Sequence, residues 1–267
     1  MSRVLELSYF FPAHNEEANL PGLVAEALET LPSLAERFEI VIVDDGSRDA
    51  TPRLADELAA AHPEVRAVHH PTNLGYGAAL RSGFAASRYA ALAFTDGDRQ
   101  FRVADLGRLL AQLGQSGSTA PAASSAPAAS SAPPGPPDVV VGFRIQRADP
   151  LVRTVYARLY RLANRIFFGL RVRDVDCACK AFQRSALEGI AVESGGAFFS
   201  AELLIKLQAA GRSIGEVGVP HYPRVAGSAT GAKPSVVLRA VRDFWSLRLR
   251  LWAGPQRALR RGRPILG

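Results

Sequence analysis

Thiol chemistry is almost missing from this chain: Cys177 and Cys179 are the only two cysteines in 267 residues. A single pair two positions apart builds neither a disulfide framework nor the four-ligand set that structural zinc usually needs. Both read as buried, reduced thiols and fit a reducing compartment. Long hydrophobic runs are also absent, and no stretch approaches the roughly 20 apolar residues that span a bilayer. Met1-Ser2-Arg3 runs straight into strand-like sequence and does not resemble a secretory leader. The expectation is a cytoplasmic protein. No Walker-type phosphate loop and no glycine fingerprint follows the first strand, which argues against an NTPase or a dinucleotide enzyme. Lysine is nearly absent while arginine and alanine abound, a bias that a GC-rich genome produces by itself. The formal net charge is +7. Acidic strand ends and the lack of aromatic platforms on a basic strand face still argue against a nucleic-acid partner.

What is present is a chain long enough for one large domain, with 48% hydrophobic residues to fill its core. The positive charge is unevenly spread. Arginines crowd the stretch from Arg144 to Arg184 and again from Arg239 to Arg263, which points to an anionic partner such as phosphate groups or a membrane surface.

Four strand-turn-helix units open the sequence. Residues 5–11 read as a strand stopped by Pro12. Ala13-His14-Asn15-Glu16-Glu17 then leads into a helix patterned by Leu20, Leu23, Val24, Ala27, Leu28 and Leu31, with Asn15 as its expected cap. Residues 38–43 form an apolar, β-branched strand ending in Asp44-Asp45-Gly46-Ser47, and Thr51-Pro52 opens the next helix. A weaker strand at 64–69 is followed by Asn73-Leu74-Gly75-Tyr76-Gly77, a glycine-rich turn whose N–H groups could approach a phosphate. The fourth strand, 90–94, ends in Thr95-Asp96-Gly97-Asp98-Arg99-Gln100. This alternation predicts an α/β fold with a mainly parallel sheet and helices on both faces. Ligands bind such sheets at the carboxyl ends of the strands. Asp96 and Asp98 cannot both stay ionised and close without a cation between them. With the neutral oxygen of Gln100 they form a hard, all-oxygen set suited to Mg²⁺ or Mn²⁺ shared with substrate phosphates. The plainer alternative is an acidic turn with Asp98 or Asp105 as a helix cap.

Residues 115–137 are low-complexity Ser, Ala, Gly and Pro, an excursion within the domain. A strand resumes at 138–141 and delivers Gly142-Phe143-Arg144. Residues 151–170 are amphipathic, with Leu151, Val155, Leu159, Leu162 and Ile166 in one stripe and arginines elsewhere. Such a helix either covers the sheet or lies in a membrane interface. A helix from Phe198 to near Gly211, a strand at 214–219 and a basic loop from His221 to Ser228 follow. The stretch 236–252 carries Phe244, Trp245, Leu247 and Trp252 among arginines and is a second candidate for the interface. The expected division is a domain at 1–235 and a basic amphipathic helix and tail at 236–267.

Taken in order, Pro12-Ala13-His14-Asn15-Glu16-Glu17, Val43-Asp44-Asp45-Gly46-Ser47, Asn73-Leu74-Gly75-Tyr76-Gly77, Asp96-Gly97-Asp98 with Gln100, and Val140-Val141-Gly142-Phe143-Arg144 resemble glycosyltransferase family 2, the inverting GT-A enzymes. Asp174 to Phe182, Phe199 to Leu204 and Val219 to Ser228 are similar to its polyprenyl-phosphate branch, the dolichol-phosphate mannose synthase-like enzymes. The resemblance covers about residues 5–235. It implies that Pro12, His14, Glu16 and Asp44 hold the base and ribose of a nucleotide-sugar donor, with Asp45 shaping that pocket and Asn73, Gly75 and Gly97 at the donor. It further implies that Asp96 meets the ribose or the metal, that Asp98 and Gln100 hold the divalent cation, and that Arg144 faces the donor phosphates. Arg224 and Ser228 would close over the site or meet the acceptor. His14 stands where an aromatic is more usual, and Ser200-Ala201 before Glu202 lacks a common aspartate. The implied donors are GDP-mannose or UDP-glucose, the implied acceptor is a polyprenyl phosphate, and the implied location is the inner face of the cell membrane. Two alternatives stay open: transfer to a sugar hydroxyl with Glu202 as base, and a nucleotide-sugar-binding membrane adaptor without catalysis.

Overall fold

The computed structural model describes residues 3–114, 135–145, 151–224, 234–254 and 258–266. Most of the low-complexity insertion, and Ser228, lie outside the described residues. The first four units appear as read: β1 (Val4–Ala13), α1 (Leu20–Leu34), β2 (Ala35–Asp44), α2 (Thr51–Ala61), β3 (Val65–His69), α3 (Tyr76–Ala86) and β4 (Ala91–Phe94). A short α4 (Leu106–Leu110), β5 (Val139–Arg144), α5 (Leu151–Phe168), β6 (Lys180–Gln183), α6 (Arg184–Leu187), β7 (Ala191–Val192), α7 (Phe199–Ala209), β8 (Ile214–Val219), α8 (Pro234–Ala253) and β9 (Arg263–Pro264) follow. Seven strands form one sheet in the order β3-β2-β1-β4-β6-β5-β8. Only β6 runs against its neighbours β4 and β5, so the sheet is mainly parallel, as expected for α/β.

Side-chain alternation along β1 explains why the central strand is so aromatic. Phe10 turns to one face, where it stacks on Phe94 at 5.3 Å and meets the edge of Phe84 at 4.8 Å. Phe182 of β6 joins them, 5.2 Å from Phe84. All four rings are fully buried, each contributing about 1.5–3 kcal/mol of apolar transfer. α3 can descend this far because position 83 is glycine; a Cβ there would stand 2.1 Å from the Phe10 ring. The cluster fixes α3, β1, β4 and β6 against one another. It thereby sets the carboxyl edge of the sheet.

Two local expectations are corrected. β1 does not stop at Pro12 but runs through it to Ala13, pairing Pro12 with Val43. The Ala13 carbonyl accepts the Asp45 N–H at 2.9 Å, so Pro12 points to the other side, toward β4. Pairing with β4 ends at Phe10, and the missing N–H of Pro12 therefore costs no ladder bond. Asn15 is likewise not the cap of α1. It takes a left-handed conformation (φ 57°) and its Oδ1 accepts the Arg48 N–H at 2.8 Å, tying the β1 turn to the β2 turn. The helix begins after Asn19 instead.

The C-terminal stretch is woven into the body of the protein. Phe244 and Leu247 of α8 are buried, β9 pairs with β7, and the Ile265 N–H donates to the Ile190 carbonyl at 3.1 Å. Three residues of the α5 apolar stripe turn outward: Leu159, Leu162 and Ile166 are exposed. The helix packs through Phe167 and Phe168, whose rings lie 5.6 and 4.8 Å from that of Phe244.

Candidate active site

Parallel pairing of β1, β2, β3 and β4 brings four polar strand ends to one edge. At its outer part lies a cavity of about 670 Å³, lined by His14, Asn15, Asp44, Asp56, His69 and Asn73 among others. Asp44 is almost fully buried. Its Oδ1 accepts the Ser47 N–H at 3.0 Å, and its Oδ2 accepts His69 Nδ1–H at 3.0 Å. The far nitrogen of His69 reaches Asp56 Oδ1 at 3.1 Å. His14 donates from Nδ1 to the Asp45 carbonyl at 2.9 Å, so its Nε2 accepts, and the amide nitrogens of Asn73 and Asn15 lie 3.1 and 3.2 Å away. A ring with one fixed hydrogen-bonding edge therefore replaces the more usual aromatic there.

Asp45 does different work from Asp44. Its two oxygens accept the N–H groups of Leu74 and Gly75 at 2.8 and 2.9 Å, and His70 Nδ1–H at 2.7 Å. It shapes the glycine-rich turn rather than the cavity wall. Gly75 sits at φ 96°, a conformation that only glycine adopts without strain. A carbonyl, that of Gly195, receives the Gly77 N–H at 3.1 Å.

His69 carries a pH signature. Burial alone would lower its pKa, but hydrogen bonds and the charges of Asp44 and Asp56 outweigh it and raise the value above 6.5. A histidine raised on folding contributes stability that is fully present below its unfolded pKa and is lost as pH rises through the folded one. Thermal melts of the wild type should therefore lose stability above about pH 6.5 relative to His69→Gln, whose melting point should be flatter across that window. Parallel profiles would contradict the assignment.

The inner part of the edge belongs to the turn after β4. Tyr76 donates its hydroxyl to Asp96 Oδ1 at 3.0 Å. Burial, then the neighbouring charge of Asp98, pushes the Asp96 pKa up to about 6. Asp98, only 5% exposed, accepts the Gln100 N–H on Oδ1 at 3.1 Å and meets the Arg224 guanidinium on Oδ2 at 2.7 Å. Glu16 stands close enough that burial, and then the charge of Asp98, raise its pKa too, against a hydrogen bond from Asn19. Gly97 is needed because a Cβ at that position would lie 2.7 Å from the Pro12 carbonyl oxygen. Among the described residues no group of three or more His, Cys, Asp or Glu forms a metal cluster by itself. Two crowded carboxylates and one amide nonetheless fit a divalent cation whose remaining ligands come from a substrate diphosphate.

The remaining predicted residues are placed as follows. Arg144 is held by a two-pronged pair with Asp174, Nε to Oδ2 at 2.7 Å and Nη2 to Oδ1 at 2.9 Å, so its guanidinium is fixed in plane. Glu202 is buried. Its oxygens accept the N–H groups of Glu193 and Ser194, both at 2.9 Å, and pair with Lys206 at 2.8 Å. Lys206 also donates to the carbonyls of Ala191 and Arg261. Glu202 thus braces the loop between β7 and α7, whose next residue, Gly195, caps the glycine-rich turn. From the same loop Ser194 donates to Asp243 of α8 at 3.0 Å, and Glu193 pairs with Arg250 of α8. His69, Asp56, Tyr76, Asp174 and Tyr222 were not singled out as site residues from sequence. His69 has no local sequence signal: only the β2–β3 register sets it opposite Asp44.

Residues 8–190 match the profile of Glycosyl transferase family 2. The chain belongs to that family. Among its family 2 relatives, glycosyltransferase AglD of Haloferax volcanii is 33% identical over 225 residues, covering 82% of this chain and 34% of its own length. Polyprenol monophosphomannose synthase of Mycolicibacterium smegmatis is 30% identical over 228 residues, covering 81% of this chain and 77% of its own. The chain thus spans about a third of the first relative's length. Relatives named for polyprenyl, undecaprenyl and dolichyl phosphates bear out the resemblance to that branch. Among solved structures, glucosyl-3-phosphoglycerate synthase from Mycobacterium tuberculosis in complex with phosphoglyceric acid superposes with a TM-score of 0.64 at 19% identity, covering 92% of this chain and 80% of that one. That likeness bears out the GT-A fold.

Proposed function

We propose that this family 2 chain moves a hexose, mannose or glucose, from a nucleotide-sugar donor to a polyprenyl phosphate at a membrane surface, with inversion and with Mg²⁺ or Mn²⁺. The observation that carries the reading is the pairing of Asp96 with Asp98 on the same strand edge as the Asp44 cavity. A nucleoside diphosphate laid along that edge has its base near Asp44, His14 and Pro12, and its phosphates near Asp98, Gln100 and the glycine-rich turn. The named relatives support the acceptor class. The mycobacterial synthase has been solved with Mn²⁺ and uridine diphosphate, which supports the cation.

The chemistry argues for a phosphate acceptor. A sugar hydroxyl needs a general base, whereas a phosphate monoester is already ionised near neutral pH. Glu202, the base candidate of the hydroxyl-acceptor alternative, is fully engaged by two backbone N–H groups and Lys206. In the proposed reaction the acceptor oxygen attacks the anomeric carbon as the bond to the nucleoside diphosphate breaks. A bound divalent cation would take up the charge of that leaving group. Asp98 and Gln100 would hold that cation, Arg144 and Arg224 would add positive charge around the phosphates, and Tyr76 fixes Asp96.

The lipid chain needs an apolar surface, and α5 with α8 offers one. Leu159, Leu162 and Ile166 on α5, and Leu238, Val241, Trp245, Leu249 and Trp252 on α8, are exposed beside arginines that suit anionic headgroups. No described helix is long and apolar enough to cross a membrane. Trp252→Glu combined with Leu249→Glu should weaken sedimentation with anionic vesicles by about tenfold or more and leave the melting point unchanged, because both side chains already face outward. Unchanged sedimentation would remove this face from the reading.

The test of function is direct. Purified protein with Mn²⁺, undecaprenyl phosphate and either GDP-mannose or UDP-glucose should yield a lipid-extractable phosphosugar. Donor binding by calorimetry without metal dependence, and with no product from either donor, would favour the non-catalytic adaptor.

A further inference from the structure

The turn after β4 is clasped by the segment that follows β8. Tyr222 donates its N–H to the Gln100 carbonyl at 2.9 Å, and Gln100 Nε2 donates to the Tyr222 carbonyl at 3.2 Å. The His221 ring meets Phe101 edge-on at 5.3 Å, and the Arg102 guanidinium lies 4.9 Å from the centre of the Tyr222 ring. Arg224 completes the clasp on Asp98 Oδ2 at 2.7 Å. The turn itself holds Arg99 in a left-handed conformation, φ 58°, which orients Asp98 and Gln100 on either side of it.

These contacts treat two of the three expected metal ligands differently. Gln100 is prepared: with Nε2 committed to Tyr222, its Oε1 is the acceptor left for a cation. Asp98 is guarded. Mg²⁺ binds oxygen ligands at about 2.0–2.1 Å, and such an ion cannot share Oδ2 with a guanidinium at hydrogen-bond distance without two cations in contact. The same positive group partly offsets the burial that raises the pKa values of Asp96 and Glu16, so it serves the whole acidic edge.

We infer that Arg224 is the resident counter-cation of Asp98, that a divalent cation displaces it, and that the displaced guanidinium then takes a phosphate oxygen of the nucleotide. The Tyr222–Gln100 pair keeps the segment at hand while its far end changes partner. Metal loading and engagement of the phosphates are thereby one exchange of ions, with no net gain of buried charge. This inference rests on the proposed metal role of Asp98 and Gln100.

The sign of one substitution tests it. Mn²⁺ affinity is measured by the free-ion electron paramagnetic resonance signal for wild type, Arg224→Gln, Arg224→Lys and Asp98→Asn. Without nucleotide, Arg224→Gln should bind Mn²⁺ about tenfold more tightly, since the competing charge is gone, and Arg224→Lys should stay near wild type. With UDP or GDP and saturating Mn²⁺, Arg224→Gln should bind the nucleotide about tenfold more weakly. A purely structural arginine gives no such reversal. Mn²⁺ affinity in Arg224→Gln that equals or falls below wild type overturns the inference, as does equal tightening in Arg224→Lys. Should Arg224→Gln fail to fold, Arg224→Lys with Mn²⁺ and nucleotide titrated in either order still decides it: positive coupling between the two ligands, equal in either order, supports the exchange, and independence refutes it. If Asp98→Asn leaves Mn²⁺ binding intact, the metal assignment itself fails, whatever Arg224→Gln does.

Discussion

Asp98→Asn is expected to cut transfer about a thousandfold or more, while the protein stays folded. The substitution keeps shape and one oxygen but removes the charge that would balance a divalent cation. Asp96 alone is a poor replacement, because burial and hydrogen bonding to Tyr76 occupy it. The expected signature is loss of both product formation and Mn²⁺ binding. Nucleotide binding without metal should survive, since Asp44 and the glycine-rich turn stand on other strands. Stability should change little: the buried carboxylate lost from the pair with Arg224 is replaced by a neutral amide, and the guanidinium keeps partial access to water. Turnover within tenfold of wild type would mean that the β4 turn is only an acidic turn.

Glu202→Ala should do the opposite, leaving chemistry and removing stability. Lys206 is wholly buried, and its ammonium is balanced by Glu202. Deleting one partner of a buried ion pair costs about 3–5 kcal/mol, because the other charge stays behind. For a chain of this size that is a fall in melting temperature of about 10 °C. The backbone N–H groups of Glu193 and Ser194 lose their acceptor as well. Lys206→Met in the same molecule should restore part of the loss. Activity per folded molecule should stay within a few fold, whereas removing a general base costs about 10²–10⁴. A stable Glu202→Ala protein with turnover gone would revive transfer to a hydroxyl.

The sequence was most readable where local pattern and tertiary role coincide. Apolar runs ending in Asp44-Asp45 and Asp96-Gly97-Asp98 mark the strand ends, because parallel strands buried on both faces leave polar residues nowhere else to go. β6 is hidden by Lys180, a charged residue buried at the start of a strand, where it lies over the Phe94 ring and donates to the Cys177 carbonyl. β7 and β9 are two residues each, too short for periodicity. Pro12 looked like a stop because its ladder side depends on where β4 ends. The α5 stripe read equally well as core or as interface, since amphipathicity says which residues share a face and not what that face meets. Pairings such as Arg224 with Asp98 or His69 with Asp44 join residues far apart in the chain, and only the sheet order brings them together.

The loop at 193–195 has a mechanical consequence. Three of its residues hold three different bodies: Glu193 and Ser194 grip α8 through Arg250 and Asp243, Glu202 grips the loop from α7, and Gly195 grips the start of α3 through Gly77. It behaves as a linchpin between the outward-facing tryptophan helix and the phosphate turn. If the proposed lipid surface were to tilt that helix, these three residues are the contacts that would carry the tilt to the ground on which the nucleotide would stand.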